Sequence, residues 1–148
     1  LGSFYHLAFA KKTCNTFAAS EELDVGKVVM FQGMEGYDDI RPGYTKVAEW
    51  RAGDDELEDF EIETAEFGMD FDREALAVDD VATDSASITE AVLAGERDDH
   101  FADAVALNAA LRLYAAEDVH NLDDGIEVAR EAIADGSAAD RLAALRDF

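Results

Sequence analysis

The chain contains one cysteine, one proline and few basic residues, and each shortage removes a class of answer. Cys14 stands alone, so no internal disulfide can form and no cysteine pair offers a structural zinc site. That usage fits the cytoplasm. Only 12 Lys and Arg stand against 35 Asp and Glu, a formal net charge of -23. A nucleic-acid partner needs a cationic stripe whose binding releases counterions, and the one adjacent basic pair is Lys11-Lys12. An anionic membrane surface is disfavoured for the same reason. Long apolar runs are missing too. Leu7 to Ala10 precedes Lys11-Lys12 instead of following a basic region, and nothing approaches the roughly 18 apolar residues of a span, which argues against a signal peptide and a transmembrane helix.

What is present suffices for folding. Hydrophobic residues make up 49% of the 148 residues, enough to offset the ordering entropy that keeps apolar-poor acidic chains unfolded. A chain of this length fits one domain and one core, burying roughly two thirds of its unfolded surface. The acids are spread along the whole chain, and Arg outnumbers Lys eight to four. Such a density repels itself unless salt screens it, over about 8 Å at physiological ionic strength and about 3 Å at 1 M. A chain selected for molar salt could tolerate it, and a halophile is the expected source. The densest run, Asp54, Asp55, Glu56, Glu58, Asp59, Glu61 and Glu63, reads as a solvated face rather than a cation site.

Periodicity sets out the elements. Phe4, Leu7, Ala8, Cys14, Phe17 and Ala18 fall on one face of a predicted helix. After a turn at Asp24 to Gly26, Lys27-Val28-Val29-Met30-Phe31-Gln32 is a nearly continuous apolar run, as in a strand covered on both faces of a parallel-type sheet. Gly33 to Gly43, with three glycines and Pro42, is a loop. Tyr44 to Arg51 and Leu57 to Glu63 alternate and form a hairpin through Gly53. Thr64 to Thr83 is an irregular connection packed by Phe67, Met69 and Phe71. The last third is helical: Asp84 caps a helix ending at Gly95, Asn121 caps one ending at Gly136, and Ser137 with Asp140 resembles a capping box. Between them Phe101, Val105, Asn108, Leu111 and Ala115 share a face.

The segment with most chemical content is Gln32-Gly33-Met34-Glu35-Gly36-Tyr37-Asp38-Asp39-Ile40, a loop leaving the end of the buried strand, where open α/β sheets usually hold ligands. A glycine-flanked loop can turn both carboxylates of Asp38 and Asp39 toward one cation. Magnesium suits such hard oxygens and keeps waters for bridging to phosphates. Taken alone, the pair reads first as a solvated turn. Asn108 reads as an amide bonded to nearby backbone, His6, His100 and His120 as surface or helix-end residues without metal-ligand spacing, and Cys14 as a small core hydrophobe.

The order of residues nevertheless resembles a specific signature. Strand, Gly-x-x-Gly, an aromatic or aliphatic residue, two acids, a hydrophobic residue and a Thr opening the next strand are similar to the His-Gly-x-Asp/Glu-Gly-hydrophobic-Asp-Glu pattern of the anthranilate phosphoribosyltransferase family. Tyr44-Thr45-Lys46-Val47-Ala48-Glu49 resembles the family's next strand, and Glu66-Phe67-Gly68 its Asp-Phe-Gly turn. Ala106 to Ala110, Gly125 to Ile133 and Gly136-Ser137-Ala138 followed by Leu142 resemble its late helices.

The resemblance implies an α/β fold with a buried sheet, a β-hairpin extension and a C-terminal helical layer, part of a nucleoside phosphorylase/phosphoribosyltransferase-like C-terminal domain. It implies transfer of phosphoribosyl from phosphoribosyl pyrophosphate to the amine of anthranilate in tryptophan biosynthesis. Mg2+ would be held by Asp38 and Asp39, which raises the metal reading above the solvated turn. No catalytic or cofactor-binding residue is assigned. Residues 1–148 would be a C-terminal catalytic-domain fragment, with the N-terminal helical domain, the pyrophosphate loop and the acceptor-binding arginine upstream, and the opening on Leu1 rather than Met fits a removed upstream segment. Alone the fragment would be inactive; the full-length protein would be a homodimer.

Departures from the pattern keep two alternatives open. Gln32 stands where the family usually has His, Asp39 where it usually has Glu, Tyr37 is bulkier than the usual aliphatic residue, and Arg41 follows. The alternatives are a paralogous phosphoribosyltransferase or nucleoside-phosphorylase-like enzyme with another acceptor, and a non-catalytic acidic interaction module.

Charge repulsion makes the salt response testable. Thermal melts in rising potassium chloride should show the melting temperature climbing from dilute buffer to molar salt, as screening relieves the carboxylate excess. A flat or falling trend would remove the salt-adaptation reading.

Overall fold

A computed structural model of the chain describes residues 1–20 and 24–147. In place of the single core expected, it divides into two compact units, one of Leu1–Asp70 with Ala115–Asp118 and one of Phe71–Tyr114 with Val119–Phe148. The irregular segment after Thr64 is where the strand-rich part gives way to the helix-rich part.

The first unit is α/β. Strand β1 (Gly2–Ser3), helix α1 (Leu7–Ala18) and strands β2 (Lys27–Gln32), β3 (Tyr44–Arg51) and β4 (Glu58–Glu63) build a four-stranded sheet in the order β1-β2-β3-β4. Val28, Val29, Met30 and Phe31 are all buried, as a strand covered on both faces requires. The sheet is mixed rather than parallel: β1 runs parallel to β2, with Gly2 opposite Met30, whereas β2 pairs antiparallel with β3 and β3 with β4. A continuous apolar run reports burial on both faces, and burial does not specify the direction of the neighbours.

One face carries a cluster of Phe4, Ala10, Cys14, Val28, Met30 and Ala48, with Phe17 and Trp50 packed against it. Helix α1 therefore buries Ala10, Cys14 and part of Phe17, while Leu7 and Ala8, expected inward, are exposed. The helix begins only at Leu7, after a β-strand and the extended His6, so its phase differs from one counted from Phe4. Burial pushes the Cys14 thiol above its ordinary pKa, which fits a core hydrophobe rather than a nucleophile.

Strand β4 forms one edge of the sheet, and all seven acids from Asp54 to Glu63 are exposed. Carboxylates along an edge discourage pairing with another chain. At the other end of β3, buried Glu49 is held by Arg51, Nε to Oε1 at 2.6 Å, and lies 3.8 Å from Lys27 Nζ. Burial lowers the Lys27 pKa, and Glu49 opposes that shift.

The second unit is helical: α2 (Val81–Leu93), α3 (His100–Ala115), α4 (Leu122–Ala134) and α5 (Ser137–Arg146). Asn121 caps α4 as expected, accepting from Asp124 N at 2.8 Å. Helix α2 starts earlier than expected. Asp80 is its cap, accepting from Thr83 N at 2.8 Å, while the Asp84 carboxylate accepts from the Asp80 backbone N at 2.9 Å, a reciprocal arrangement of the capping-box kind. The Thr83 amide holds the Asp80 carboxyl below its ordinary range. Ser137 does not cap α5: Gly136 is the cap residue, Asp135 accepts from Ser137 N, and the Ser137 hydroxyl donates to Ala132 O. Phe71 stacks on His100, ring centroids 4.1 Å apart. Asn108 donates to Ala104 O at 2.9 Å, the backbone-bonded amide expected. Among the described residues, no helix is long and apolar enough to cross a membrane.

Buried Leu107, Ala110 and Leu111 of α3 and Gly125, Ile126 and Ala129 of α4 line the helical interior. A Cβ on Gly125 would stand 2.8 Å from Ala110 Cα. Gly125→Ala should therefore destabilise the protein by about 1–3 kcal/mol of overpacking, despite the roughly 1 kcal/mol that alanine favours a helix interior. Urea unfolding of the variant beside the parent checks this, and an unchanged midpoint would show that the two helices can separate freely.

Candidate functional site

The loop between β2 and β3 is built by close backbone contact. Gly33 N donates to Tyr37 O at 3.2 Å and Gly36 N to Gly33 O at 3.1 Å, folding the segment back on itself. A Cβ at Gly33 would lie 2.3 Å from Asp39 O and 3.0 Å from Tyr37 O, so only glycine permits this crossing. Glu35 takes left-handed backbone angles, φ 57° and ψ 14°, uncommon for a residue with a side chain. The far end is clamped by buried Thr64, whose hydroxyl accepts from Gly43 N at 2.9 Å and whose amide donates to Gly43 O at 3.0 Å.

On this frame Asp38 is exposed and Asp39 half-buried. They sit beyond the C-terminal end of β2, on the same side as the C-terminal end of parallel β1, the position expected for ligands in an open sheet. The loop itself joins antiparallel neighbours rather than leading into a crossover. Asp39 Oδ1 accepts from Arg41 Nε at 3.1 Å, and the Arg41 guanidinium lies over the Tyr37 ring, 3.5 Å from Cζ to the centroid. The sequence reading missed this trio; its signal was the Tyr37-x-Asp39-x-Arg41 spacing within a tight loop.

Magnesium asks of a protein one or two carboxylates, with waters and phosphate oxygens completing its shell. Two adjacent carboxylates on a rigid, open loop fit that demand. Among the described residues, no group of three or more His, Cys, Asp or Glu is placed to hold a metal by itself. Any ion here would depend on its other ligands.

Beside the loop two adjoining clefts, of about 430 and 410 Å³, share Tyr5, His6, Gln32 and Lys46. Gln32 Nε2 donates to Tyr5 O at 2.9 Å, tying the β1–α1 connection to the end of β2. His6 and Tyr5 are exposed there, ring centroids 4.6 Å apart. His100 and His120 lie in or beside the helical unit and are not buried, as surface residues should be.

Comparison with known proteins places these features in context. Residues 4–139 match the model of the glycosyl transferase family, a/b domain. Anthranilate phosphoribosyltransferase of Leptothrix cholodnii is 35% identical over 124 residues, covering 82% of this chain and 35% of that protein. The enzyme of the same name from Burkholderia thailandensis is 32% identical over 130 residues, 86% of this chain and 37% of that one. The crystal structure of anthranilate phosphoribosyltransferase from Thermus thermophilus superposes with a TM-score of 0.63 at 31% identity, over 76% of this chain and 32% of that one. The chain thus spans about a third of the length of the curated relatives it matches.

The crossing at Gly33 generates its own test. Gly33→Ala should displace the loop, shifting the amide resonances of residues 37–40 strongly and lowering stability by roughly 1–3 kcal/mol. Amide spectra with the loop signals unmoved would mean that the close approach is not what shapes it.

Proposed function

The chain belongs to the glycosyl transferase family, a/b domain, and we propose that it forms part of a phosphoribosyltransferase that moves 5-phosphoribosyl from phosphoribosyl pyrophosphate to anthranilate in tryptophan biosynthesis. The observation that carries this reading is the likeness to relatives of that name along most of the chain, within a family match over residues 4–139. In such a transfer the anomeric C–O bond breaks, pyrophosphate leaves with the electron pair, a C–N bond forms to the amine, and the amine loses a proton. Asp38 and Asp39 would hold magnesium, which when bound neutralises charge on the departing pyrophosphate.

This chain's own residues supply position. Gly33 and Thr64 fix the two ends of the loop, so the carboxylates need little reordering to meet a cation. Neither Asp has a covalent role. As a homodimer in the cytoplasm, the whole protein would draw its pyrophosphate loop from outside the stretch matched here, and its acidic surface suits molar salt.

One observation favours a second reading, a paralogue using another acceptor. Gln32 replaces the usual His and spends an amide hydrogen on Tyr5 O, so it offers the cleft hydrogen bonds but no titrating ring. An enzyme with the same donor and a different nucleophile would retain Asp38 and Asp39.

Asp38→Asn and Asp39→Asn, each made in the enzyme that carries this chain, should lower turnover on the order of 10²-fold, or about 3 kcal/mol, and change its magnesium dependence. Melting temperatures should hardly move, because substitutions of loop carboxylates open to water cost little. Near-normal turnover with unaltered magnesium dependence in both variants would return the pair to a solvated turn.

A further inference from the structure

Three of the chain's departures from the family pattern meet at one point. The Arg41 guanidinium covers the Tyr37 ring at 3.5 Å and bonds Asp39 Oδ1 at 3.1 Å. We propose that Arg41, steadied on Tyr37, is a positioning residue that serves as the standing counter-cation of Asp39 and competes with a divalent ion for its carboxylate. This rests on the reading of Asp38 and Asp39 as magnesium ligands.

The chemistry is a competition for one carboxylate. Asp39 and Arg41 are two residues apart, and their side chains are 48% and 36% exposed, so the pair is reachable by water and ions. The guanidinium and a magnesium ion are both cations that seek the same carboxylate oxygens, so the contact opposes metal at Asp39. Stacking on Tyr37 limits where the guanidinium can go, which keeps it beside Asp39 instead of sampling solvent. The shorter Asp39, where the family usually has Glu, is within reach of Arg41 across the single intervening residue. Asp38, exposed beside it, is the carboxylate open to the ion first. Magnesium affinity at this loop is therefore set below what two free carboxylates would provide. A substrate that brings its own phosphate oxygens to the ion offsets the difference, so metal without substrate is disfavoured.

The test follows magnesium alone by amide resonances of residues 37–40, a site-resolved signal that the many other carboxylates cannot mimic. Arg41→Gln should shift the titration midpoint to about three-fold lower magnesium, the size expected of an exposed ion pair. Tyr37→Leu changes no charge and should shift it in the same direction by less. In an Asp39→Asn background the effect of Arg41→Gln should disappear. An unchanged or higher midpoint in Arg41→Gln, with Asp39→Asn still weakening binding, overturns the competition and leaves the metal reading standing. A shift in Arg41→Gln with none in Tyr37→Leu overturns the role of the ring. Should neither Asp38→Asn nor Asp39→Asn alter the titration, the metal reading falls and takes this inference with it.

Discussion

Burial of β2 on both faces is the constraint on which the rest of the first unit depends. Val28 to Phe31 have no side turned to water, so the strand's backbone groups need partners on each edge. Strand β3 supplies six residues of ladder on one side; on the other, the two-residue β1 supplies a short parallel one. Because β1 and β2 run the same way, their C-terminal ends open on one rim, and the Tyr5-His6 segment meets Gln32 there. The position of the candidate site thus follows from the burial of a strand six residues long.

Electrostatics in this chain divides into two regimes. Most of the carboxylates stand in water, the β4 edge being the clearest case, and their mutual repulsion is a property of the solvent as much as of the fold. A few are tied down. Buried Glu49 is held by Arg51, Asp99 accepts from Arg97 Nε at 2.8 Å, which keeps its carboxyl below the ordinary range, and Asp103 meets Arg130 at 2.8 Å. Arginine is a partner in each case, as its planar fork favours, joined at Glu49 by Lys27. With so few cations in the chain, each arginine spent on a particular acid is informative, and Arg41 is spent on the acid of greatest functional interest.

The loop that bears this pair combines rigidity with exposure. Its shape is set by backbone: the crossing at Gly33, the left-handed Glu35 and the anchor at Thr64. Glu35, Tyr37 and Asp38 are exposed and Asp39 is half-buried, while Ile40 and Pro42 are buried. On the proposed reading glycosyl transfer would use this combination, because placing charge correctly does most of the catalytic work while the bond changes occur within the substrates.

How much of this was legible from residues alone varies with the range of the interaction. Strands β2 and β3 were found at their observed ends, because burial and alternation are written locally in Val28 to Phe31 and in Tyr44 to Arg51. The cap at Asn121 was legible for the same reason, and the Asp38-Asp39 loop was found because its order along the chain is distinctive. Strand direction was not, since a strand covered on both faces reads alike beside parallel and antiparallel neighbours. The phase of α1 depended on where β1 ended, the choice of Asp80 over Asp84 on a single hydrogen bond, and the second compact unit on contacts that no local window contains. Sequence by itself determined the composition, the main strands and the residues of the candidate site; tertiary structure decided that Asp39 faces Arg41, that Arg41 rests on Tyr37 and that Gly33 admits no other side chain. Those last contacts depend on how a loop closes in space, and the geometry of closure is fixed by where the strands at its two ends are held.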